Sequence, residues 1–102
     1  MIMKSRLPLD ETTLARFCER HHICRLALFG SQLKGTARPD SDVDLLVEFE
    51  PGRVPGLLAI ASMEIELSDL LGGRRVDLRT AEDLSRYFRD EVMRTAEVQY
   101  AR

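Results

Sequence analysis

The sequence predicts a small α+β protein, a sheet flanked by helices, and three observations predict it. Short apolar runs of strand character, Arg25 to Phe29 and Val43 to Phe49, stand apart from stretches whose apolar residues recur at three and four, chiefly Leu14 to Cys18 and Leu57 to Leu70. Gly30-Ser31, Glu50-Pro51-Gly52 and Gly72-Gly73 punctuate the boundaries. The 102 residues, 44% hydrophobic and 31% charged, suit one globular domain over residues 1–102 with a single core.

Charge and cysteine usage exclude several classes of function. A net charge of −2 argues against a general grip on nucleic acid, which would require a basic excess, although a local basic patch remains compatible with it. No run of 18 apolar residues occurs, and Met1-Ile2-Met3-Lys4-Ser5-Arg6 lacks the apolar core of a secretion signal, so a cytoplasmic location is expected. Cys18 and Cys24 have neither zinc-site spacing nor a set of histidine partners, and both read as small buried apolar residues.

Taken in order, the chain opens with a polar lead and Pro8, after which Asp10 caps a helix with Leu14, Phe17 and Cys18 on one face. That helix ends near His21-His22, a pair that reads as a helix terminus rather than a metal site. The first strand follows, then Gly30-Ser31, a short helical segment around Gln32 to Lys34, a loop from Gly35 to Ser41, and the second strand. Pro55-Gly56 leads into a helix whose Leu57, Ile60, Met63, Leu67 and Leu70 form the stripe that packs on the sheet, with Glu64, Glu66 and Asp69 pointing outward. Arg74 to Arg79 alternates as a third strand, Val76 and Leu78 facing the core and Asp77 the other way. Thr80 and Asp83 form an imperfect capping box, Leu84, Phe88, Val92 and Ala96 mark a final amphipathic helix with a break near Ser85, and Glu97 to Tyr100 forms a last short strand.

The chemistry concentrates between Phe29 and Phe49. On a strand, side chains alternate, so Asp42 and Asp44 share one face while Val43, Leu45 and Val47 take the other. Two carboxylates so placed repel unless a cation lies between them, and an oxygen-only site with few protein ligands suits Mg²⁺, completed by water and substrate phosphates. Gly30 lets the backbone approach a ligand closely, and Ser31 offers a hydroxyl and a main-chain N–H at a helix start, a cradle for phosphate. Lys34 and Arg38 in the connecting loop either reach a triphosphate or remain solvated charges. Asp77 supplies a third carboxylate beside the first two.

Ten residues separate Gly30-Ser31 from Asp42-Val43-Asp44, and the order Gly-Ser, Asp-x-Asp, Val76-Asp77-Leu78 resembles the nucleotidyltransferases of the DNA polymerase beta-like superfamily, in particular the minimal nucleotidyltransferases. The likeness runs from about residue 14 to residue 100 and takes in Gly35, Pro39 to Val47 and Leu70-Leu71-Gly72. It implies the small nucleotidyltransferase fold, a mixed sheet flanked by helices holding ATP and two Mg²⁺ ions. Gly30 and Ser31 would contact the triphosphate, Asp42 and Asp44 would ligate metal, and Asp77 would complete the metal site and deprotonate the acceptor.

Small members of this family pair with a HEPN-domain toxin, an RNase that they neutralise by transferring AMP from ATP to a toxin tyrosine. The resemblance therefore implies an antitoxin that is a protein adenylyltransferase. With room for one domain only, the chain is expected to take a macromolecular acceptor that brings its own docking surface. Two other readings stand beside it: an antitoxin that acts by contact alone, and a small-molecule nucleotidyltransferase whose site is closed by a neighbouring subunit.

Overall fold

A computed structural model of the chain describes residues 9–30 and 42–102. Within them the elements run α1 (Glu11–Arg20), β1 (Ile23–Phe29), β2 (Val43–Phe49), α2 (Leu57–Leu70), β3 (Val76–Arg79), a 3₁₀ turn (Ala81–Asp83), α3 (Arg86–Thr95) and β4 (Glu97–Ala101). The expected segment around Gln32 to Lys34 and the loop from Gly35 to Ser41 lie outside the described residues.

The four strands form a mixed sheet in the order β3-β2-β1-β4. β1 pairs antiparallel with both β2 and β4, and β2 pairs parallel with β3. Parallel pairing needs a crossover, and α2 supplies it. Residues of alternate parity on the central strands therefore meet different layers. Leu26, Leu28, Val43, Leu45, Val47, Val76 and Leu78 pack with Leu14, Phe17 and Cys18 of α1 and with Met63 and Leu67 of α2 in the main core. On the opposite face, Ala27 and Leu46 pack with Leu84, joined by Val92, Ala96 and Val98. β2 is thus covered on both faces, which fixes its register.

Local chemistry sets most boundaries. The Asp10 carboxylate accepts a hydrogen bond from the Thr13 N–H and begins α1. The helix stops at His21, and His22 turns the chain at a φ of 58°. At the other end of the fold, Asp83 accepts from the Thr80 N–H and hydroxyl, closing the 3₁₀ turn, after which extended Leu84 separates it from α3, capped by Ser85. The expected break near Ser85 is therefore present. The Phe88 side chain, assigned to the stripe of that helix, lies outside what is described.

Three expectations need correction. The buried stripe of α2 is Met63, Leu67 and, just past the helix, Leu71, whereas Leu57 is 84% exposed and Leu70 37% exposed. In the first turn only Ile60 packs against the core, while Leu57 and Leu58 stay exposed. Glu64 and Glu66 do not point away from the fold: Glu64 binds the edge strand, and Glu66 pairs with Arg20 of α1 and with His21 just past it, joining the two helices. Cys18 is buried, its thiol pushed up to about 12 chiefly by burial, but Cys24 is only half-buried and its Sγ donates to the Glu48 carbonyl.

Candidate active site

Parallel pairing of β2 with β3 brings Asp44 opposite Asp77, and antiparallel pairing of β1 with β2 brings Phe29 opposite Asp44. Because Val43, Leu45, Val76 and Leu78 turn into the main core, alternation sends Asp42, Asp44 and Asp77 to the other face of the sheet. The carboxylates expected from the sequence are thus neighbours at one end of two adjacent strands. Gly30 ends β1 beside them at a φ of 82°, so close to Asp44 that a Cβ at this position would clash with its Oδ2. Only glycine suits both that backbone and that contact. Ser31, Lys34 and Arg38 lie outside the described residues.

The electrostatics follow from this crowding. Burial raises the Asp44 carboxyl above its ordinary value of 3.8, Asp77 and then Asp42 push it the same way, and Arg79 opposes them. Arg79, two residues beyond Asp77 on the same face of β3, donates to Asp77 Oδ2 from Nε at 3.1 Å and lies 3.0 Å from it at Nη2. As the side chains stand, no three Asp, Glu, His or Cys residues among those described enclose a metal position. The donor chemistry still fits a hard cation: carboxylates alone, one of them destabilised by its neighbours' charge. Asp42, Asp44 and Asp77 are the residues that could hold it.

A cavity of about 670 Å³ opens beside the carboxylates, between α2 and the edge strand β3. Asp42 and Asp77 line one side, and Ala61, Glu64, Ile65 and Ser68 of α2 line another. Glu64 Oε2 accepts from the Leu78 N–H at 2.7 Å, satisfying an edge-strand donor in the residue next to Asp77. Neither Glu64 nor Arg79 was among the site residues expected from the sequence. Period-two alternation from Asp77 carried the signal for Arg79, whereas that for Glu64 depends on how α2 docks.

Such a sheet end gathers carboxylates from two parallel strands and a glycine pressed against one of them, beside an open cavity. The nucleotidyltransferase domain model matches residues 11–98, and the chain belongs to that family. It is 42% identical over 76 residues to protein adenylyltransferase MntA of Thermococcus cleftensis, with 74% of each chain covered. Its fold matches a solved candidate minimal nucleotidyltransferase at a TM-score of 0.64 and 39% identity, over 94% of this chain and 97% of that one. It also shares the fold of a toxin–antitoxin crystal structure with AMP-PNP, at a TM-score of 0.73 and 21% identity over 92% of this chain and 75% of that one.

Proposed function

We propose that the chain is a Mg²⁺-dependent adenylyltransferase that transfers AMP from ATP to a tyrosine hydroxyl of a HEPN-type RNase toxin, and so acts as its antitoxin. The observation that carries this reading is the cross-strand neighbourhood of Asp44 and Asp77, with Asp42 beside them and Gly30 against Asp44. Family membership and the similarity to a named protein adenylyltransferase support it.

In this reading Asp42 and Asp44 would hold metal at the nucleotide, Asp77 would complete the metal site, and Gly30 with Ser31 admits the triphosphate to the sheet end. Lys34 and Arg38 add positive charge along the phosphates. Bound Mg²⁺ would offset negative charge on the reacting phosphoryl oxygens and on the departing pyrophosphate. Asp77 faces the cavity, where it accepts the proton of the incoming tyrosine hydroxyl as the oxygen–Pα bond forms and the Pα–O bond to pyrophosphate breaks. The cavity wall also supports a protein acceptor. Ile65, 65% exposed, lines it, and the same helix carries Leu57 and Leu58, 84% and 87% exposed, an apolar surface that suits burial by a partner.

Thermal unfolding with Mg²⁺ and ATP tests the binding half directly. Saturation at 100 times the dissociation constant adds about 2.7 kcal/mol, which for a domain of this size raises Tm by roughly 10 °C or more. The rise should need both Mg²⁺ and nucleotide and vanish in Asp42→Asn. No rise in the wild type would instead favour an antitoxin that works by contact alone.

A further inference from the structure

Among the described residues, Asp77 is the one carboxylate of the three paired with a cation of the chain itself, Arg79. Nε and Nη2 of Arg79 both converge on Oδ2, at 3.1 and 3.0 Å. The arrangement is built into the strand, since residues two apart on β3 share a face, and that face is the one Asp44 occupies across the ladder. As the side chains stand, the three carboxylates do not close on one metal position among the described residues.

Resting on the metal-site reading above, we propose that Arg79 is the resident counter-cation of the carboxylate site, occupying Asp77 in the nucleotide-free protein and yielding it to a divalent cation. A guanidinium and a dication competing for one carboxylate disfavour metal alone. A metal that arrives with a triphosphate meets added negative charge and prevails. Arg79 is therefore a positioning residue that couples metal loading to nucleotide binding. Arg79 and Asp77 are both partly solvent-exposed, at 47% and 34%, so the competition is modest. An exposed pair of this kind corresponds to roughly a two- to five-fold effect on affinity.

The test is Mn²⁺ binding by calorimetry to the full chain, without nucleotide and then with a non-hydrolysable ATP analogue, for the wild type, Arg79→Gln, Arg79→Lys and Asp44→Asn. Arg79→Gln should bind Mn²⁺ about two- to five-fold more tightly than wild type without nucleotide, and the difference should shrink when the analogue is present. Arg79→Lys, which keeps the charge, should stay close to wild type. A weaker or unchanged affinity in Arg79→Gln overturns the proposal, a loss marking Arg79 as a clamp that merely holds Asp77 still. Equal binding by wild type and Arg79→Gln, abolished in Asp44→Asn, would leave the metal site standing and remove only the role of Arg79. No Mn²⁺ binding to any of them, with or without analogue, would remove the metal-site reading and the proposal with it.

Discussion

Asp44 is where charge, burial and backbone meet. Its folded state holds the proton more tightly than an unfolded chain does, so the sign of its linkage is fixed: stability falls as pH rises through the carboxylate range. In the absence of metal, Asp44→Asn should therefore unfold at a higher temperature than wild type at neutral pH. The gain should disappear as pH drops below the ordinary value of 3.8, and melting curves collected from pH 3 to pH 7 check it. Equal pH profiles would mean that the three carboxylates do not feel one another. At this scale the sequence was informative where period two applied. It placed Asp42, Asp44 and Asp77 on one face but not Arg79 in the site, since a lone arginine at the same alternation reads like any solvated strand charge. Glu64 was unreadable, since its hydrogen bond to Leu78 depends on the docking of a helix 14 residues away in sequence.

Among the elements, β3 is the most exposed to failure: four residues at the sheet edge carry Asp77. Its pairing with β2 fixes one side, and the Glu64 carboxylate satisfies the Leu78 N–H on the other. Glu64→Ala should cost about 1–3 kcal/mol, the range for leaving a partly buried donor without its acceptor. Glu64→Gln, which retains an accepting oxygen, should lose much less. Urea denaturation of the two variants measures the difference, and faster amide exchange at Leu78 in Glu64→Ala would locate it. The strands and helix starts were legible because capping, alternation and glycine turns act locally: Asp10, Ser85 and Gly72 mark boundaries whatever the rest of the chain does. The buried stripe of α2 was not. Leu57, Leu58 and Ile65 are as apolar as Met63 and Leu67, and how the helix docks on the sheet decides which are covered.

For the whole molecule, that uncovered side of α2 bears directly on the acceptor. It begins at the wall of the cavity holding Asp42 and Asp77 and extends along the first turn of the helix. Leu58→Asp should leave the Mg²⁺–ATP stabilisation of the isolated protein unchanged while reducing modification of a protein partner by about ten-fold, as truncating one well-buried interface anchor does. Labelling of a purified HEPN-type partner by the variant and the wild type at matched concentrations gives that comparison. The central question is whether the carboxylate site moves a nucleotide onto protein. The protein, with an Asp42→Ala/Asp44→Ala control, should be incubated with ATP labelled at the α-phosphate, Mg²⁺ and the partner, and the products separated into protein, nucleic acid and small molecules. Label on a tyrosine of the partner, with loss of its RNase activity and with neither effect in the control, is the expected result. Label absent from the partner, while the unmodified partner is still neutralised, would show that the antitoxin works by contact and that these three aspartates serve another end.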